Sequence, residues 1–182
     1  MNKISKIAIF CGSKNGNNSL YKEKANELAG IIAEHKVELI YGGGKSGLMG
    51  TVADAVMSQG GIVRGVIPQV LINWEHQHEG ISELLIVEDM DVRKRKLYDL
   101  CDAAVILPGG FGTLDELFEI LTWNQLSIHD KKIFLFNAGG FYDHLLAHLE
   151  LMQKEGFLYG NLAEVITIIS TPEDLRPYLS IN

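Results

Sequence analysis

The chain has 182 residues, with 16 basic against 23 acidic side chains and a net charge of −7. At 47% hydrophobic and 21% charged it has the bulk for one buried core, which argues against disorder and for a single domain. The acidic balance argues against a nucleic-acid partner, and no apolar run approaches the roughly 20 residues that span a bilayer. Met1 leads within a few residues into an apolar segment, so no signal peptide and a cytoplasmic location are expected. Cys11 and Cys101 have no partner at ligand or CxxC spacing, and a buried structural role is expected for both.

In chain order, residues 6–11 read as a first strand, followed by a polar turn over 12–18 and a helix from Ser19, its expected cap, to about His35. Residues 37–41 form a second strand, which runs into Gly42-Gly43-Gly44-Lys45-Ser46-Gly47 and a helix to about Ser58. A third strand, 62–67, is expected to stop at Pro68. Residues 69–83 show no period and read as irregular. Then come a short strand at 84–87, a helix at 91–101 and an apolar strand at 103–107. After a glycine turn a helix is expected over 114–126, then a strand at 133–136, a helix at 141–154, a strand at 165–169 and a closing helix from Pro172. Strands alternating with helices predict an α/β fold, a Rossmann-like doubly wound parallel sheet in one domain. Its ligand site is expected at the carboxyl ends of the strands, where glycine turns follow Cys11, Tyr41 and Leu107.

The most informative stretch is Pro108-Gly109-Gly110-Phe111-Gly112-Thr113-Leu114-Asp115-Glu116. Glycines between a strand and a helix let main-chain N–H groups approach a ligand, and a helix start adds unpaired donors. Together they make an anion site, with phosphate the usual guest. Glu116 falls one turn into the helix. Thr113 and Glu116 also fit a capping box, so cap and catalyst are both open for Glu116 on this motif alone.

The glycine turn after Tyr41 fits G-x-G-x-x-G, but no carboxylate follows at the distance that a dinucleotide ribose needs; only Arg64 leaves room for a 2′-phosphate. It also fails as a P-loop, because Leu39 stands where G-x-x-x-x-G-K-S needs glycine. What remains is close backbone approach at Gly43 and Gly44, with no cofactor.

Arg93-Lys94-Arg95-Lys96 is the one basic run. Met90, Arg93, Leu97 and Leu100 share a helical stripe, which carries Arg93 toward the core with Lys94 at its border. A guanidinium there is costly unless an anion meets it. Helix and glycine turn flank one strand, so Arg93 and Glu116 can share a cleft. His144 and His148 have i, i+4 spacing but no third ligand, and the cluster Glu75-His76-Gln77-His78-Glu79 reads as a polar or substrate loop, so no metal is expected. Trp74 and Trp123 read as packing or subunit contacts.

The segments Met90-Asp91-Val92-Arg93-Lys94 and Pro108 through Glu116, in that order, resemble the LOG ("lonely guy") family of cytokinin riboside 5′-monophosphate phosphoribohydrolases, whose bacterial members were often labelled lysine decarboxylases. The resemblance extends through Tyr41-Gly42-Gly43-Gly44, Gly47-Leu48-Met49-Gly50, Thr122-Trp123-Asn124-Gln125-Leu126 and Glu155-Gly156-Phe157. It implies a homodimer with its site near the subunit interface, and hydrolysis of a nucleoside 5′-monophosphate to free base and ribose 5-phosphate. By matching positions it implies Arg93 and Glu116 as the catalytic pair. Gly109, Gly110, Phe111, Gly112, Thr113, Leu114 and Asp115 would hold phosphate and ribose. Glu75, Lys94 and Thr122 fall where the family contacts substrate, with Ser13, Gly43 and Gly44 on the other glycine turns. Plant members carry Pro-Arg-Glu where this chain has Asn73-Trp74-Glu75, which sets AMP beside the prenylated nucleotide as substrate. A decarboxylase would need a Schiff-base lysine for pyridoxal phosphate, and nothing marks Lys131 or Lys132 as one. The rival from another class is a non-catalytic nucleotide-binding or signalling module on the same fold.

Overall fold

The structure, a computed structural model, describes residues 4–75 and 77–179, and of residues 73–75 the backbone only. Seven strands form one sheet: β1 (Lys6–Phe10), β2 (Glu38–Tyr41), β3 (Val63–Pro68), β4 (Glu83–Val87), β5 (Ala103–Ile106), β6 (Lys132–Phe136) and β7 (Thr167–Ile169). Their spatial order is β4-β3-β2-β1-β5-β6-β7 and every pairing is parallel. Parallel neighbours need crossovers, and these are the helices α1 (Ser19–Glu34), α2 (Gly47–Ser58), α3 (Gln69–Glu75), α4 (Met90–Leu100), α5 (Phe111–Gln125), α6 (Asp143–Lys154) and α7 (Leu162–Val165). The chain is a Rossmann-like α/β domain.

Successive residues of a strand feed opposite cores. Ile7 and Ile9 pack with Leu28 and Ile32 of α1 and Val52 and Val56 of α2. Ala8 and Phe10 pack with Leu97 and Tyr98 of α4 and Leu117 and Ile120 of α5. The winding reverses between β1 and β5, where Ile9 pairs Val105. Beyond the last pair, Phe10 with Ile106, the two strand ends leave the sheet in opposite directions and open a crevice. The turns after β1 and β5 are clasped there, with Gly12 N–H donating to Pro108 O at 3.0 Å and Leu107 N–H to Phe10 O at 2.9 Å.

Four expectations are corrected. Residues 69–75 form α3, whose two turns are too short to display a helical period. β3 continues through Pro68, which pairs in register with Val87. The cap of α1 is Asn18 rather than Ser19, its side chain accepting from Leu20 N–H at 3.0 Å. Near the carboxyl end Asn161 starts α7, which takes Val165 out of the last strand, and the closing segment Pro172–Tyr178 is a 3₁₀ helix. Thr171 and Asp174 form its capping box, and backbone N–H donors at 171 and 170 hold the Asp174 carboxyl below its usual range.

Candidate active site

The crevice at the winding reversal is a cleft of about 190 Å³. Cys11, Gly12 and Ser13 line it from the turn after β1, Gly42 from the turn after β2, Met49 from α2, Arg93 from α4, and Gly110, Phe111, Gly112, Thr113 and Glu116 from α5 and its N-cap. Two strand ends and three helices thus deliver their residues to one place.

α5 begins earlier than its periodicity suggests. It runs from Phe111, with Gly110 as N-cap and no side chain capping it. Thr113 is therefore inside the helix, and Glu116 lies in the second turn rather than at the reciprocal position of a cap. The capping-box reading of Glu116 is overturned. The first intrahelical donor is Leu114 N–H to Gly110 O at 3.1 Å, so the N–H groups of Phe111, Gly112 and Thr113 have no intrahelical acceptor. They add to the positive end of the helix dipole beside the cleft.

The glycines of this motif differ in purpose. A Cβ on Gly109 would collide with the Thr113 side chain and meet Gly12 N at 3.0 Å, so Gly109 is needed for packing. A Cβ on Gly110 or Gly112 would have nothing within 4 Å, and neither has a positive φ. Neither packing nor backbone geometry requires glycine there; both leave a bare main-chain surface on the cleft.

Asp89 caps α4, accepting from Val92 N–H at 2.8 Å, and so sets Arg93 one turn inside. Arg93 is 6% exposed. Its Nε donates to Val66 O at 3.2 Å and its Nη2 to Gly42 O at 3.3 Å. A side chain at position 42 would strike the guanidinium. Nη1 faces Glu116 Oε1 at 3.8 Å, with Glu116 8% exposed. This is an ion pair in a low-dielectric wall, too long for a hydrogen bond, and it borders the open cleft. Burial and the Glu116 charge push the Cys11 thiol far up, which keeps it neutral and a poor nucleophile. Tyr98 steadies the helix behind Glu116. Its hydroxyl donates to Glu119 Oε2 at 2.9 Å, and burial, then Glu119, raise its pKa.

The predicted residues divide. Arg93, Glu116, Ser13, Gly110, Phe111, Gly112 and Thr113 share the cleft. Gly109 borders an adjoining apolar hollow with Tyr21, Leu48 and Phe141. Lys94 lies outside the cleft, its Nζ 2.7 Å from Asp115 Oδ2 and 3.6 Å from Glu119 Oε2. Leu114 packs against the α4–α5 core. Thr122 donates to Phe118 O at 2.7 Å, two turns from the cleft. Gly43 and Gly44 hold the 77–78 segment, through His78 N–H to Gly43 O and a bridge from Gly44 to Gln77, instead of lining the cleft. The Trp74 and Glu75 side chains and all of His76 lie outside the described residues. Cys11, Gly12, Gly42 and Met49 were not expected as lining residues, although three of them directly end or follow a strand at the edge where the site was sought. His144 and His148 are exposed, and among the described residues no group of His, Cys, Asp or Glu is arranged to hold a metal ion.

Residues 49–179 match the family model described as "Possible lysine decarboxylase". Over 173 residues the chain is 40% identical to the cytokinin riboside 5′-monophosphate phosphoribohydrolase LOG3 of Arabidopsis thaliana, covering 95% of this chain and 80% of the relative. It is 42% identical to the probable enzyme LOG6 of the same plant, over 95% and 86%. The chain belongs to the LOG family. Solved structures of similar fold include the molybdenum cofactor carrier protein of Chlamydomonas reinhardtii, with TM-score 0.71 and 18% identity over 97% of this chain and 95% of that one. The molybdenum cofactor binding protein of Rippkaea orientalis aligns with TM-score 0.69 and 20% identity over 96% and 93%. In this LOG protein no lysine is among the described residues that line the cleft, where a decarboxylase would need one for a Schiff base. Lys131 Nζ donates to Cys101 O at 2.6 Å and Lys132 stands over the Tyr178 ring, both at the opposite edge of the sheet.

Proposed function

We propose that the protein hydrolyses the N-glycosidic bond of a nucleoside 5′-monophosphate, AMP or a cytokinin riboside 5′-monophosphate, to free base and ribose 5-phosphate. The observation that carries this is the buried Arg93–Glu116 pair facing one cleft with the bare backbone of Gly110 and Gly112. The relatives at about 40% identity bear the same activity in their names.

The free N–H donors of α5 and its dipole hold the 5′-phosphate, which aligns the ribose. As the C1′–N bond breaks, its electron pair leaves with the base and positive charge builds on the sugar. Glu116 offsets that charge and orients the attacking water, as glycosidase carboxylates do. The water oxygen bonds to C1′ and a proton ends on the base nitrogen. Arg93, held rigidly by two carbonyls, anchors the anionic substrate and steadies the departing base. The scheme uses no cofactor.

The apolar rim supports a homodimer. Phe111 is 94% exposed at the cleft mouth, and Phe118, Met90 and Val92 are exposed on the same two helices. A second copy covering them would deepen the cleft and bring its edges, including the outer residues Lys94 and Thr122, toward substrate. No described helix is long and apolar enough to cross a membrane.

The test is incubation of the purified protein with AMP, with chromatographic detection of free adenine and ribose 5-phosphate. Adenosine, without the phosphate, is expected to react far more slowly. AMP that binds yet stays intact would favour the non-catalytic nucleotide module and overturn the hydrolase reading.

A further inference from the structure

His78 is buried, at 5% exposure, and is not among the residues that line the cleft. Its contacts fix its tautomer. Gly80 N–H donates to Nδ1 at 3.1 Å, so Nδ1 carries no proton and Nε2–H donates to Asp54 Oδ1 on α2 at 3.0 Å. The ring therefore closes its own turn and ties it to a helix. These two bonds set the direction of the His78 main-chain N–H, which donates to Gly43 O at 2.9 Å. Gln77 adds an antiparallel bridge to Gly44.

The recipient of these bonds is the turn that holds Arg93. Gly42, Gly43 and Gly44 have no side chains with which to pack, and Gly43 sits at φ +80, where glycine is at home and other residues are strained. Such a turn must be held from outside. The peptide next to Gly43 is that of Gly42, whose carbonyl accepts from Arg93 Nη2. The path from His78 to the guanidinium thus runs through two adjacent peptides. We propose that His78, braced by Asp54, is a positioning residue that fixes the Gly42–Gly44 turn and through it the orientation of Arg93 toward Glu116. The catalytic consequence rests on the hydrolase reading above, but the structural one does not.

Two measurements on the full chain decide it. The first follows the Arg93 Nη2–H resonance of ¹⁵N-labelled protein, the donor to Gly42 O, assigned by its loss in Arg93→Lys. In His78→Ala its exchange with water is expected to quicken about tenfold or more, because the guanidinium loses a fixed acceptor. The second is turnover of AMP. His78→Ala is expected to lower kcat about 10- to 100-fold, the scale for a displaced catalytic group, with KM changed far less. His78→Asn supplies an Oδ1 that can accept from Gly80 N–H, and should recover much of both signals. Asp54→Ala, a cut at an exposed side chain, should move both in the same direction by less. An unchanged Arg93 resonance in folded His78→Ala overturns the proposal. So does normal kcat despite a changed resonance, or a loss that merely tracks the unfolded fraction by circular dichroism. If the wild-type protein releases no base, the hydrolase reading fails while the resonance still decides whether His78 positions Arg93.

Discussion

Among the ion pairs that join α4 to α5, two run between neighbouring residues, Arg93 to Glu116 and Lys94 to Asp115. The second is much the shorter, 2.7 Å against 3.8 Å. Its carboxylate is half in water, with the Asp115 side chain 55% exposed, whereas both members of the first are nearly excluded from solvent. Proximity and consequence run in opposite directions here. An exposed pair is screened and contributes little. A buried pair held open beside a cleft keeps two desolvated charges available to whatever enters, which is the arrangement of a site rather than of a strut.

The largest effect that follows is at Glu116. Glu116→Gln keeps the shape and removes the charge that offsets an oxocarbenium-like sugar. Turnover of AMP should fall by about 10²- to 10⁴-fold while calorimetric binding of AMP persists. Near-normal turnover would remove the chemical distinction between the two pairs.

Arg93→Ala comes next, and unlike Glu116→Gln it should damage the fold as well. It removes donors to Val66 O and Gly42 O and leaves the Glu116 charge buried without its cation, a loss of about 3–5 kcal/mol in denaturant unfolding. Arg93→Lys should restore much of the stability but not the turnover, because an ammonium cannot reach two carbonyls and a carboxylate in a planar fork.

The contrast between these pairs was only half legible in the sequence. The helical stripe through Leu97 carried Arg93 inward, and the strand–glycine–helix pattern put Glu116 near it. Alternating and continuous apolar runs likewise exposed the strands and the edge at which the site sits. Three things were hidden. Phe111, an exposed apolar residue between two glycines, starts α5 a turn earlier than periodicity indicates, because helix starts are set by backbone direction at Gly110 and not by side-chain pattern. The cleft residues Cys11 and Gly42 come from separate strands, and only the sheet order places them together. The link from His78 to Gly43 and on to Arg93 runs through main-chain groups, which leave no mark in residue type.

A finer test concerns Gly112, the second residue of α5. Ala there meets nothing within 4 Å, and alanine in a helix is favoured over glycine by about 0.5–1 kcal/mol. Gly112→Ala should therefore raise the melting temperature while its methyl group intrudes on the phosphate cradle and raises KM for AMP. Gly109→Ala should do the reverse, destabilising the fold by collision with Thr113. A Gly112→Ala protein with unaltered KM would mean that the bare surface holds no ligand.

The smallest effect belongs to the shorter pair. Burial pushes Lys94 down, but hydrogen bonds and charge from Asp115 and Glu119 outweigh it and hold Lys94 above its ordinary value. With a raised folded-state pKa, the stabilisation is fully present below the unfolded value of about 10.4 and is lost as pH rises through the folded one. Lys94→Ala should cost less than about 1 kcal/mol, since its partner is largely in water. The gap in melting temperature between Lys94→Ala and the parent should stay constant from neutral pH to about 10 and then close. It should also narrow with added salt, whereas the Arg93→Ala deficit, arising between groups nearly excluded from solvent, should narrow much less. A salt-insensitive Lys94 effect as large as that of Arg93 would place both pairs in the same dielectric environment and erase the difference between them.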